Sequence, residues 1–173
     1  MKNLQSFNEF LTESITTPTI TWLVGPPASG KSTWQESNAK GSFVISRDDL
    51  VDELRKGTGM SYSDTFNDSS FQNRVNQALE NRIKKGLSGS TNVVVDMTNM
   101  TVKSRERLML RVPLHWKKVA IVFETPRSEI IKRLKKREEE TGKKVGINIV
   151  DKMIRSYEKP TKSEGFDEII FLK

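Results

Sequence analysis

Residues 25–32 read GPPASGKS, the GxxxxGKS spacing of a phosphate-binding loop, directly after the apolar run TITWLV at 19–24. Gly25 and Gly30 let the backbone curl so that successive amides, those of Ala28 and Ser29 among them, point inward at an anion. A helix starting at Lys31 presents its positive N-terminus to the same charge. Lys31 adds a point charge for the β- and γ-phosphates of a nucleotide, and the Ser32 hydroxyl is suited to ligate Mg²⁺. An apolar strand before the loop and the helix-compatible KSTWQESN (31–38) after it supply the context the motif requires.

Strand and helix patterns alternate from there. SFVIS (42–46) reads as a strand, DDLVDELRK (48–56) as a helix, and the polar stretch 57–67 as a mobile loop. In 68–85, Phe71, Val75, Ala78, Leu79 and Ile83 recur at helical spacing. NVVVDM (92–97) is a buried strand, VKSRERLML (102–110) a helix, KKVAIVFE (117–124) a strand, and 127–140 a highly charged helix. A further helix at 147–158 and a strand at 166–172 complete the pattern. This alternation predicts an α/β fold, a mainly parallel central sheet flanked by helices, with a helical lid. At 173 residues the chain suits one compact domain, burying about 70% of its unfolded surface. Residues 19–173 form that domain, and 1–18 an appendage with Leu4, Phe7 and Leu11 on one helical stripe. Leu11–Thr12–Glu13 also resembles the leaders that some tailed-phage head proteases cut, which would place cleavage after Glu13 and the protein in the virion.

Composition narrows the chemistry. The chain has no cysteine and one histidine, His115, which removes thiolate catalysis, Cys–zinc sites and a Ser-His-Asp triad. Acid–base work falls to carboxylates. No apolar run approaches the roughly 20 residues of a membrane span, and the N-terminus is polar, so no membrane partner and a cytoplasmic location are expected. Residues 101–162 carry 18 basic and 8 acidic side chains, a net +10 within a total of +7. That excess suits a polyanionic partner, nucleic acid first, or a solvated basic lid.

Three further segments carry candidate site residues. The β-branched run VVVD delivers Asp96 to the carboxyl edge of the sheet, where open α/β sheets bind ligands. There it would hold a magnesium-bound water or part of the acceptor; a helix N-cap is the structural alternative. In ISRDDL (45–50) a strand ends and acidic residues open a helix. Asp48 is the candidate to orient an acceptor hydroxyl and take its proton, with Asp49 as the capping member. In EIIKRLKKREEETGKK (129–144), Arg133 and Arg137 share one helix face, suited to neutralise charge on a transferred phosphoryl group.

Together, GPPASGKSTW, ISRDD, VVVDMTN, KRLKKR and INIVDKMIRSYEKP resemble the kinase domain of phage-type 5′-hydroxyl polynucleotide kinases, over residues 19 to about 160. The resemblance implies that Lys31, Ser32 and Thr33 hold ATP phosphates and Mg²⁺. It makes Asp48 the general base, Arg137 the lid arginine with Arg133 as companion, and Asp96 the strand-end aspartate near the acceptor, with Thr98 and Asn99 beside it. Two departures stand out. Met97 separates Asp96 from Thr98–Asn99, where the family pattern has the aspartate directly before Thr-Asn. Val51 occupies the position of an arginine that grips the acceptor's next phosphate, leaving Arg55 or Arg47 to substitute. The phosphatase half of the bifunctional phage enzymes is absent, so 3′-phosphatase activity is not expected.

The resulting expectation is an ATP- and Mg²⁺-dependent kinase acting on the 5′-hydroxyl of DNA or RNA. The alternatives are a kinase of a small hydroxyl acceptor, with Val51 and the 57–67 loop closing its pocket, and a non-catalytic, nucleotide-gated nucleic-acid binder.

Overall fold

A computed structural model describes residues 17–173; the leader and appendage expected over 1–16 lie outside the described residues. Five strands, β1 (Thr19–Val24), β2 (Phe43–Ser46), β3 (Val93–Asp96), β4 (Lys117–Phe123) and β5 (Glu168–Leu172), form one sheet in the order β2-β3-β1-β4-β5. Every pairing is parallel. The helices are α1 (Lys31–Asn38), α2 (Arg47–Arg55), α3 (Tyr62–Asn67), α4 (Ser69–Leu87), α5 (Val102–Met109), α6 (Arg127–Thr141) and α7 (Ile147–Arg155), with a 3-10 turn at Lys162–Glu164.

Strand alternation sorts the core into two faces. Ile20, Trp22, Val24, Val93, Val95, Ala120 and Val122 point to the layer holding Val51, Phe71, Val75, Leu79, Ile83 and Leu108. Leu23, Val94, Val119 and Ile121 point the other way, with Trp34 of α1 and Leu172 packed against them. A smaller cluster of Ile130, Leu134 and Val150 joins α6 to α7. Gly86 lets α4 settle on β2, since a Cβ there would lie 2.9 Å from the Phe43 ring.

The order places β1 between β3 and β4, so the chain crosses over in opposite directions on either side of it. Such a switch point opens a crevice at the strands' carboxyl ends. The register pairs Ser46 of β2 with Asp96 of β3 on one rung, which sets the start of α2 beside the end of VVVD.

Three expectations are corrected. The stretch 57–67 is not loop throughout: Ser61 Oγ accepts from the Asp64 amide and Asp64 Oδ2 accepts from the Ser61 amide, a capping box that starts α3. The last strand begins at Glu168, because Phe166 turns inward to pack edge-on against Trp22, with ring centres 5.3 Å apart. Helix α7 likewise stops at Arg155.

Candidate active site

The phosphate-loop segment is anchored at both ends. The Gly25 amide donates to the Thr98 carbonyl at 3.0 Å, and the Thr125 hydroxyl donates to the Ser29 carbonyl at 2.8 Å. Ala28 (φ 63°) and Gly30 (φ 104°) take left-handed backbone, which turns the chain sharply into α1. No side chain caps α1 and its first turn holds no acid, so the amides at its start are left for an anion.

Lys31 is buried, and its Nζ donates to the carbonyls of Gly25 (2.9 Å) and Pro26 (2.8 Å). Burial pulls its pKa down to about 8, against the opposing pull of Asp96 and Asp48 and with Arg137 adding to the fall. Burial pushes Asp96 upward, a shift that Lys31 opposes and that Asp49 and Asp48 reinforce. Three carboxylates and two cations therefore converge in one crevice. It measures about 1240 Å³ and is lined by the loop, Arg47, Asp48, Asp49, Asp96, Thr98, Arg133 and Arg137. This exceeds the usual range for a single small ligand, about 300–1,000 Å³.

The crevice suits a magnesium ion. Mg²⁺ takes one or two protein ligands and completes its shell with phosphates and water. The Ser32 hydroxyl at the head of α1 and the carboxylate of Asp96 both line the space, and Asp48 and Asp49 act on Asp96 from close by.

On the lid side, Arg133 pairs with Glu129 (3.0 Å) and its Nη1 lies 3.5 Å from the Ala28 carbonyl, so it rests on the phosphate loop itself. Arg137, one turn on, acts on Lys31, Tyr62 and Asp96 from the cleft wall.

Thr101 caps α5, which removes the N-cap alternative for Asp96. Several other positions differ from expectation. Ser46 caps α2, accepting from the Asp49 amide, which leaves Asp49 in the cleft instead of serving as the cap. Asn99 does not offer its amide to an acceptor. It is buried with φ 48°, and Nδ2 donates to the carbonyls of Leu23, Val95 and Met97, tying the ends of β1 and β3 together. Arg55 does not line the crevice; it pairs with Asp52 at 3.5 Å and donates to the Met60 carbonyl. Val51 is wholly buried in the core and closes no pocket. Arg47 does line the crevice, donating to Gln72 of α4.

Other side chains at the site come from segments that gave no functional signal. The Tyr62 hydroxyl approaches Asp48 Oδ1 at 3.5 Å, and burial with the neighbouring Asp48 carboxylate pushes its pKa up to about 12. Lys143, in the turn between α6 and α7, forms an ion pair with Asp52 of α2 and lies 5.3 Å from the Tyr62 ring centre. The lid is thus tied to α2 one helical turn beyond Asp48. The capping box at Ser61–Asp64 was the only sequence trace of the helix that delivers Tyr62.

Among the described residues, no helix is long and apolar enough to cross a membrane.

Comparisons with known proteins agree with this architecture. A protein of Arabidopsis thaliana named transcription factor bHLH140 is 28% identical over 158 residues, 88% of this chain, yet the chain spans only 16% of that protein's length. A chain in the structure of the Pnkp1/Rnl/Hen1 RNA repair complex is 25% identical with a TM-score of 0.68, covering 84% of this chain and 46% of that one. A putative kinase from Chloroflexus aurantiacus shares the fold at 16% identity and a TM-score of 0.63, covering 91% and 88% of the two chains. The family model described as AAA domain matches residues 20–160, so the chain belongs to the AAA-domain family and carries it in a P-loop kinase fold.

Proposed function

We propose that residues 19–173 form an ATP-dependent kinase domain that transfers the γ-phosphoryl group to the 5′-hydroxyl end of DNA or RNA. The observation that carries this reading is one continuous crevice in which the phosphate loop and Lys31 face Asp48 and Asp96. Similarity to a chain of an RNA repair complex supports the choice of acceptor.

In this reading the loop amides, Lys31 and Arg137 bind the donor phosphates and take up charge as the phosphoryl group moves. Ser32 and Asp96 would hold Mg²⁺, which supplies further neutralisation of the donor phosphates when bound. Asp48 accepts the proton of the acceptor hydroxyl as the hydroxyl oxygen bonds to the γ-phosphorus. The bond from that phosphorus to the β–γ bridging oxygen breaks, and ADP leaves with the electron pair. Tyr62, kept protonated by its surroundings, holds Asp48 toward the acceptor. Most of the rate enhancement comes from positioning and charge, since the transition state is loose.

The test is transfer from γ-labelled ATP to 5′-hydroxyl and 5′-phosphate oligonucleotides and to free nucleosides and nucleotides. Label on 5′-hydroxyl strands, lost with Asp48→Ala, is the expected result. Label on a small acceptor alone would replace the nucleic-acid reading with a small-molecule kinase. Salt-sensitive strand binding without turnover would leave a nucleotide-gated binder.

A further inference from the structure

We propose that the groove between α4 and α5 holds the phosphodiester strand downstream of the acceptor hydroxyl, with Arg107 and Arg111 gripping its phosphates. This rests on the kinase reading above. The crevice does not end at the reacting groups; it continues past Asp96 and Thr98 between the two helices. Ser104, Arg107, Leu108 and Arg111 recur at intervals of three and four along one stripe facing this space, and Asn76, Leu79 and Ile83 face it from α4. Leu79, Ile83 and Leu108 are buried and make an apolar floor.

The two cations share a partner. One carboxylate serves both: Glu80 Oε1 accepts from Arg107 at 2.6 Å and Oε2 from Arg111 at 2.9 Å. Two guanidinium groups and one carboxylate leave one net positive charge. Each guanidinium carries five N–H donors, so most remain for a phosphate. Arg111 is partly buried and Arg107 mostly exposed, so the shared carboxylate restrains Arg111 more than Arg107. From Ser104 to Leu108 the stripe rises ~6 Å at 1.5 Å per residue, and Arg111 extends it just past the end of α5. Apolar floor, paired arginines and continuity with Asp48 together fit a charged strand. They give a single small acceptor nothing to do in this part of the space.

The experiment compares acceptor lengths. Wild type, Arg107→Ala, Arg111→Ala and the charge-keeping Arg107→Lys are assayed for kcat/KM on a 5′-hydroxyl nucleoside 3′-phosphate and on 5′-hydroxyl decamers of DNA and of RNA. Binding of the same decamers is followed by fluorescence anisotropy across a salt series. The expected result is that each alanine variant cuts the decamer's advantage over the mononucleotide about tenfold, with Arg107→Lys retaining part of it. Each also lowers the slope of log affinity against log salt by about one. An unchanged length advantage and salt slope, in a wild type that does phosphorylate 5′-hydroxyl strands, overturns the groove and leaves the kinase reading intact. A loss confined to RNA overturns the phosphate grip in favour of 2′-hydroxyl contacts. Wild type without transfer to any 5′-hydroxyl strand overturns the acceptor reading, and the groove assignment with it.

Discussion

Arg105 is wholly buried, and Glu164 receives two of its bonds, at 2.7 Å to Nε and 2.9 Å to Nη2. Its remaining Nη1 donates to the Asn99 carbonyl at 2.9 Å, so this pair braces the loop that follows Asp96 and carries Thr98. Breaking a buried pair strands a charge. Glu164→Ala is expected to lower stability by ~3–5 kcal/mol in urea unfolding. The double variant Arg105→Met with Glu164→Leu should recover most of that loss, since apolar replacement of a buried ion pair is often neutral.

Lys31 gives a pH dependence of known sign. Its folded pKa of about 8 lies below the usual 10.5, so between those values the unfolded chain binds the extra proton. Stability of the ligand-free protein should therefore rise from pH 8 toward pH 10, and Lys31→Met should remove that rise and stabilise the protein at neutral pH. Binding of ATP needs the charged form. Its Kd should stay flat below pH 8 and climb above it by up to about tenfold per pH unit, a climb absent in Lys31→Arg, whose side chain stays charged. Thermal unfolding and nucleotide titration across pH read the two effects separately.

Tyr62 stacks edge-on against Phe66 at 5.1 Å while its hydroxyl faces Asp48, so Tyr62→Phe keeps the packing and removes only the donor. We expect kcat to fall about tenfold, with KM for ATP little altered. Asp48→Ala should cost about 10²–10⁴ in rate. Steady-state kinetics with ATP varied at saturating acceptor distinguishes positioning from general damage.

A methyl group at position 25 has nowhere to go. It would lie 2.6 Å from Ser29 Oγ and 3.2 Å from Phe123 Cβ; the hydroxyl can rotate, the strand residue cannot. Gly25→Ala should shift the loop, weaken nucleotide binding at least about tenfold and lower stability by ~1–3 kcal/mol. Isothermal titration and thermal melts check both.

The strand–loop–helix unit and the strand-end carboxylates were readable because each rests on local order: a spaced glycine motif, a β-branched run, an acidic start to a helix. Asp48, Asp96 and the pair Arg133 and Arg137 reach the same crevice from three separate segments. Asn99 was misread because a polar residue at a strand end looks like a ligand contact. Only its left-handed backbone and three carbonyl partners show that it serves the scaffold. Tyr62, Asp52 and Lys143 were invisible for the opposite reason. Lys143 lies 91 residues from Asp52, and nothing local marks either as a partner. Arg55 and Val51 turned on helix phase: Val51 points into the core, and Arg55 binds its own neighbourhood, leaving Arg47 at the cleft.

One rung of the sheet, the pairing of Ser46 with Asp96, has a consequence for how proteins of this kind diversify. Asp96 sits on that rung and Asp48 two residues past it, and the phosphate loop is bonded to Thr98 just beyond it. The walls of the outer groove hang instead from α4 and α5, whose inward stripes pack on the sheet and whose outward residues owe the rung nothing. On the kinase reading proposed above, a lineage could trade the outer stripe for another without retuning phosphoryl transfer, exchanging the substrate while inheriting the reaction.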